Sequence, residues 1–458
     1  MMMDLLAAAR ATAARLIGDN VTFCGVSTDS RSIVAGEIFV ALRGEHFDGH
    51  EYVAAAQRRG AVAAIVAADA AESLRALGLP LLQVAETRLS LGALAADWRS
   101  RFKLPLLAVT GSNGKTTTKE MIASILKTAF AEAVLSTQGN YNNDIGLPLT
   151  LLRLNATHRA AIIEMGMNHP GEIAYLAGIA RPTVAVVTNA QRAHLAGMGS
   201  LEAIASEKGS IYSGLDEDGI AVFNADDRWA DLWRAQSRGL GVMTFGLEQT
   251  ADVTGRSTLH GLENRLNVCA PQGQFEVLLA LPGQHNARNA LAAATACLAA
   301  GVSLEAVQAG LSNFRGLKGR LQRRLALHDS VLLDDTYNAN PDSVRAGIDV
   351  LATTIGKKVL VLGDMGEIGE MSAQFHDEIG GYAKSQGIDR LFALGEASAL
   401  AAHNFGSGGE HYTHVDKLVE ALTAELTPAT TVLVKGSRFM RMERVANAIS
   451  VPAPEGGE

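Results

Sequence analysis

The stretch Thr110-Gly111-Ser112-Asn113-Gly114-Lys115-Thr116-Thr117 constrains this chain more than any other feature. It follows the apolar run Leu106-Leu107-Ala108-Val109 and precedes a helical pattern that sets Met121, Ile122, Ile125, Leu126 and Ala129 on one face. The order expected is strand, phosphate-gripping loop, helix. A triphosphate needs backbone N–H groups at close range, a cation on its outer oxygens and a hydroxyl to hold Mg²⁺. Gly111 and Gly114 let the backbone approach, Lys115 supplies the charge and Thr116 can ligate the metal. Ser112, Asn113 and Thr117 complete the loop, and the helix N-terminus adds donors. Val109 stands where the common G-x-x-x-x-G-K-[ST] motif has its first glycine, so this is a shorter form, T-G-x-x-G-K-T-T. A turn that merely links strand to helix is the bland alternative, and the Lys-Thr-Thr that follows argues against it.

At 458 residues the chain exceeds one compact core, and domain size predicts about three domains. Residues 1–86 read as a small α/β domain, with strands at 38–42 and 61–67 and a helix at 52–59. An amphipathic stretch with Leu89, Leu91, Leu94 and Trp98 leads to Pro105 and a central domain, 87–317. There, apolar strands at 160–164 and 184–188 run into polar residues at their C-terminal ends, which in an open parallel sheet face the ligand crevice. Residues 318–458 alternate strands, at 331–333, 358–362, 390–394 and 431–434, with helical runs, as expected of a second parallel, doubly wound, Rossmann-like sheet. The tail 451–458 has nothing to pack and is expected to fray.

Charge and cysteine usage exclude several classes. Acidic residues number 48 against 40 basic ones, with no basic block, so no nucleic-acid groove is advertised. Cys24, Cys269 and Cys297 are odd in number and far apart, which excludes a disulfide framework; they read as small buried residues in a reducing compartment. The apolar stretches 60–68 and 290–300 are too short to span a bilayer, and no signal-peptide core precedes them. A cytoplasmic monomer without membrane insertion is expected.

Four further features carry chemistry. The segment Gly139-Asn140-Tyr141-Asn142-Asn143-Asp144-Ile145-Gly146 is a donor-rich loop suited to a diphosphate or sugar, with an ordinary Asx-turn as the alternative. Glu164 ends an apolar strand, where a carboxylate is costly unless it meets a cation, and Mg²⁺ is the natural one. His194 follows the strand ending at residue 188 and so faces the same crevice, although a lone histidine is more often structural. Lys208, in a helical run, is by default a solvated lysine.

With Ser27-Thr28-Asp29-Ser30-Arg31 and Phe39-Val40-Ala41-Leu42-Arg43-Gly44-Glu45 before them and Asp335-Thr336-Tyr337-Asn338-Ala339-Asn340-Pro341-Asp342-Ser343 after, these clusters resemble the Mur ligase family of peptidoglycan synthesis. That family shares the T-G-x-x-G-K-T-T loop with folylpolyglutamate synthetase, and the resemblance covers essentially the whole chain. It implies a UDP-binding first domain, with Ser30, Arg31 and Arg43 on the nucleotide precursor and Asn140 and Asn143 near its diphosphate. It implies ATP in the middle domain, two Mg²⁺ ions at Thr116, Glu164 and His194, and a carbamylated Lys208. Asn286 and Asn289 would approach the adenine, Arg320 the phosphates and Asp335 the ribose, while Tyr337, Asn338 and Asn340 are positioned for the amino component.

The implied reaction joins D-alanyl-D-alanine to UDP-N-acetylmuramoyl-tripeptide through an acyl phosphate, serving cell-wall biogenesis, cell shape and division. Domain closure about residues 316–319 is expected to shield that intermediate. The nearest alternative adds meso-diaminopimelate or lysine to the dipeptide precursor, but its diaminopimelate-adding members carry D-N-P-R, whereas here Asn340-Pro341-Asp342 leads to Ser343. A folylpolyglutamate synthetase would lack the Ser-Thr-Asp-Ser-Arg domain. A phosphate-loop ATPase or switch, from another class, would turn over ATP without a carboxylate and an amine; a non-enzymatic binding module is disfavoured by Lys115, Thr116 and Glu164 together.

Overall fold

A computed structural model describes residues 1–260 and 262–451, so the tail expected to fray lies, from 452 on, outside the described residues. The order of elements follows the hydrophobic pattern. The N-terminal region carries a five-stranded sheet in the order Arg15–Ile17, Leu81–Val84, Ala63–Ala67, Glu37–Val40, Gly25–Ser27, parallel except for the edge strand Arg15–Ile17. Ala63–Ala67 is buried along its whole length, which is why it reads as an unbroken apolar run.

Helix Thr87–Ser100 joins this region to the next. Glu86 caps it by accepting from the backbone N–H of Arg88 and Leu89 at 3.1 and 2.6 Å. Its buried Leu91, Leu94 and Ala95 lie in one continuous core with Ile38, Ile65 and Leu82 on one side and Leu106, Ala108 and Ile163 on the other. Arg99 is buried there too, spending its guanidinium on the carbonyls of Ala180 and Phe102.

The central sheet has nine strands. Strands Val134–Ser136, Ala160–Glu164, Leu106–Thr110, Val184–Val187, Ile220–Asn224, Gly241–Gly246 and Val253–His260 lie side by side in parallel. Glu263–Ala270 and Gly273–Leu279 then extend it antiparallel, so the sheet is mixed and not wholly parallel as expected. In Glu263–Ala270 buried and exposed residues alternate, the pattern of a sheet with one face in water. Helices Lys115–Phe130 and Gln284–Ala299 cover the other face through Met121, Ile125, Leu291 and Ala294.

Because Leu106–Thr110 sits between Ala160–Glu164 and Val184–Val187, with Glu164 opposite Val109 and Val187 opposite Thr110, three chain segments emerge together at the sheet's carboxyl edge. The C-terminal region is a six-stranded sheet in the order Gln322–Leu325, Val331–Asp335, Thr430–Lys435, Lys357–Gly363, Arg390–Leu394, Gly409–Tyr412. Only Gln322–Leu325 is antiparallel, and separate apolar clusters cover the two faces, as in a doubly wound fold. The cysteines depart from expectation: Cys297 is buried, whereas Cys24 and Cys269 are exposed, because Cys269 falls on the water-facing side of its alternating strand. Among the described residues no helix is long and apolar enough to cross a membrane.

Candidate active site

The phosphate loop is shaped by backbone that only small residues tolerate. Gly111 has φ +149° and a Cβ there would meet Thr188 Oγ1 at 1.9 Å; Gly114 has φ +81° and a Cβ would meet Asn289 Oδ1 at 2.2 Å. The loop is stapled to the segment leaving Val184–Val187. Ser112 N donates to Asn189 O at 3.0 Å, Asn113 N to Asn189 Oδ1 at 2.9 Å, and Gln191 N to Ser112 Oγ at 2.9 Å. Gly111→Ala therefore forces Thr188 and its contact with Asn113 O to move; we expect a loss of about 1–3 kcal/mol in stability together with weaker ATP binding, read by thermal melts with and without nucleotide.

Lys115 Nζ curls back to Gly111 O at 2.6 Å and Ser112 O at 3.2 Å. Burial lowers its pKa, with the Glu164 charge opposing that shift. Glu164 is 2% exposed; its Oε1 accepts from Asn142 Nδ2 at 2.8 Å while its Oε2 is buried without a hydrogen-bond partner. Thr117 is buried in the first turn of the helix, and Thr116 presents its hydroxyl to Arg320, whose Nη2 donates at 3.1 Å.

Lys208 is 1% exposed, which corrects its reading as solvated: one face of helix Leu201–Gly209 is packed into the core with Ile204 and Ala205. Burial and the charge of Lys115 push its amine well below the ordinary lysine range. His194, in left-handed backbone, places Nδ1 3.1 Å from Glu367 Oε2, so its visible partner comes from the C-terminal region. Among the described residues no three His, Cys, Asp or Glu side chains converge on a common point.

Ser112 to Thr117, Glu164, His194, Arg320 and Glu367 line one cavity of about 1110 Å³ between the central and C-terminal sheets, whereas Lys208 is buried in the core and is not part of its lining. Asn140 and Asn143 border it, although Asn143 Oδ1 is used to accept from Gly146 N at 2.9 Å, the Asx-turn of the bland reading. Asn286 and Asn289 border it from the start of helix Gln284–Ala299, linked to each other at 3.2 Å. Arg320 lies over the Tyr337 ring at 4.1 Å. Asp335 pairs with Lys435 Nζ at 2.5 Å and accepts from Leu321 N, so its carboxylate is already partnered in the protein. Asn338 accepts from Ala339 N, and Asn340 forms a capping box with Ser343 while donating to Asn113 Oδ1 at 2.8 Å. Both amide functions of Asn340 are thereby committed to structure. Ser30, Arg31 and Arg43 are outside the cavity: Arg31 is 86% exposed and paired with Asp29, and Arg43 pairs with Asp48 and Asp69.

The site also contains residues that the sequence motifs do not single out. Lys435 closes an apolar strand as Glu164 does, so the same signal was present. Asn142, in the donor-rich loop Gly139 to Gly146, meets Glu164. Arg192, which grips Asp342 through Nη2 at 2.7 Å and backbone N at 2.9 Å, joins segments 150 residues apart and has no local signature.

The nine-stranded sheet, its phosphate loop and a crevice completed by a separate doubly wound region define a nucleotide-binding protein with a composite site. Residues 109–297 match the Mur ligase middle domain, 319–438 the Mur ligase glutamate ligase domain and 22–99 the Mur ligase family catalytic domain. The chain is 42% identical to the UDP-N-acetylmuramoyl-tripeptide--D-alanyl-D-alanine ligase of Escherichia coli (strain K12), the match covering 95% of each chain. Among solved structures it is similar to MurF from Acinetobacter baumannii, at 34% identity, 97% and 98% coverage and a TM-score of 0.90. MurF ligase from Thermotoga maritima in complex with ADP follows at 28% identity, 93% and 96% coverage and a TM-score of 0.80. The chain belongs to the Mur ligase family.

Proposed function

We propose that the protein is an ATP-dependent, ADP-forming ligase that joins D-alanyl-D-alanine to the terminal carboxylate of UDP-N-acetylmuramoyl-tripeptide. The observation that carries the reading is the single cavity in which the phosphate loop meets Arg320, Asp335 and Lys435 of the C-terminal region. The full-length likeness to ligases of that name supplies the substrates.

In this reading the substrate carboxylate attacks the γ-phosphate, ADP leaves, and the dipeptide amine displaces phosphate from the acyl phosphate. Lys115 and Arg320 hold the transferring phosphoryl group, and the loop N–H groups fix its orientation. The orphaned, buried Oε2 of Glu164 fits a divalent cation, since an anionic oxygen left unpaired in the interior is costly. Thr116, Glu164 and His194 would hold two Mg²⁺ ions, with carbamylated Lys208 as a further anionic bridge; the metals would supply charge neutralisation at the phosphates. A depressed lysine pKa supports the carbamate, because only the neutral amine adds CO₂.

Asn286 and Asn289 would border the adenine, and Ser30, Arg31 and Arg43 would hold the UDP end, where Arg31 and Arg43 are exposed and Ser30 is half-buried. The cross-region contacts Arg320 to Thr116, Asn340 to Asn113 and Arg192 to Asp342 support a closing C-terminal domain pivoting near 316–319. The domains proposed are 1–86, 87–317 and 318–458, and the setting a cytoplasmic step of cell-wall synthesis. With MgATP and UDP-N-acetylmuramoyl-tripeptide, phosphate release is expected with D-alanyl-D-alanine and not with diaminopimelate or lysine. Release that is independent of any amine or carboxylate would instead favour an ATPase or switch.

A further inference from the structure

Most carboxylates lining the cavity already have an occupation. Asp144 pairs with Arg88, Asp226 and Glu248 with Arg288, Asp335 with Lys435 and Asp342 with Arg192. Glu172 accepts from the backbone N–H of Asn168 and His169, and Asp227 from those of Ala190 and Trp229. Glu164 is bound to Asn142 and belongs to the proposed metal site. Glu367 differs: among the described residues it has neither a Lys or Arg partner nor a backbone or amide donor, and its one contact is His194 Nδ1 at 3.1 Å.

The loop that carries Glu367 is built to hold it there. Glu367 has φ +60°, left-handed backbone that a glutamate adopts at a cost and keeps only where its surroundings over-determine it. The preceding amides are all pinned: Met365 N donates to His376 Nε2 at 2.9 Å and Gly366 N to Ser437 Oγ at 2.7 Å. His376 is itself fully buried and directs Nδ1 to Ser372 O at 2.7 Å, which fixes its tautomer. Asp364 Oδ1 accepts from Ser398 N at 2.7 Å, and its carbonyl accepts from Ser437 N at 3.0 Å. The result is a carboxylate at the carboxyl end of strand Lys357–Gly363, aimed across the crevice. Glu367 lines the same cavity as Lys115 and the phosphate loop, with its side chain 65% exposed.

An amine substrate arrives as an ammonium ion and needs an anion that no internal cation already neutralises. We infer that Glu367 receives the ammonium group of the incoming amino component and holds it beside the phosphate loop. This rests on the ligase reading above and gives that site the residue that recognises its second substrate class, a zwitterionic peptide.

Glu367→Gln keeps a side chain able to meet His194 and removes only the charge. The expected result is a KM for D-alanyl-D-alanine raised about tenfold or more, with KM for ATP and for the UDP-linked tripeptide changed by less than about twofold; Glu367→Asp should fall between. An unchanged KM for the dipeptide would overturn the inference. An equal rise in the KM for ATP would also overturn it, making Glu367 a latch between the two regions. The parallel wild-type assay separates the two readings: a wild-type protein that forms no amide with any amine refutes the ligase reading itself.

Discussion

Lys115→Ala is expected to lower kcat/KM for ATP by about a thousandfold or more while leaving the fold intact. The cost arises because Lys115 is the side-chain cation rooted in the phosphate loop itself, at the first position of helix Lys115–Phe130, where it meets the transferring phosphoryl group alongside Arg320 and the proposed metals. Its Nζ bonds only the loop carbonyls of Gly111 and Ser112, so truncation removes no core packing. Lys115→Arg should fail to restore activity, since a guanidinium fork does not fit a site sized for one buried ammonium. Steady-state kinetics set beside thermal melts check both halves of the expectation.

The second large effect is expected at Lys208. The amine is buried, and burial together with the charge of Lys115 pushes its pKa well down, so a lysine that stayed charged would be costly at this position. As a carbamate it becomes an anion next to cations. Lys208→Ala should therefore cut the rate by about a hundredfold to a thousandfold. A small carboxylic acid added to the assay should recover part of that loss by taking the vacated place. Wild-type protein equilibrated with isotope-labelled bicarbonate should show a carbamate resonance that the variant lacks; full activity in the variant would refute the bridge.

How much of this was legible depended on how local the physics was. The strand, loop and helix around Thr110 to Thr117 were readable because apolar periodicity and glycine placement act within about twenty residues. Glu164 was readable for the same reason: a charge that ends a buried strand must be met. Lys435, at the end of the buried strand Thr430–Lys435, carries the same signal. The alternation of Leu266, Val268 and Ala270 also stood in the sequence, and it marks the antiparallel extension that makes the central sheet mixed.

Other features had no local trace. The burial of Lys208 comes from packing of helix Leu201–Gly209, because that helix's pattern does not say which face is inward. The grip of Arg192 on Asp342 and the meeting of His194 with Glu367 exist only once the C-terminal sheet is set against the central one. Asn340 shows the reverse error: a polar residue at the right place whose side chain is consumed by a helix cap and by Asn113.

The central claim is that ATP is spent on activating a carboxylate. The most direct measurement labels the terminal carboxylate of UDP-N-acetylmuramoyl-tripeptide with heavy oxygen and follows the label during turnover with MgATP and D-alanyl-D-alanine. Attack of that carboxylate on the γ-phosphate, followed by amide formation, should leave one labelled oxygen in each phosphate released. Phosphate free of label, with ATP consumed, would contradict the account, because the γ-phosphate would then have gone to water.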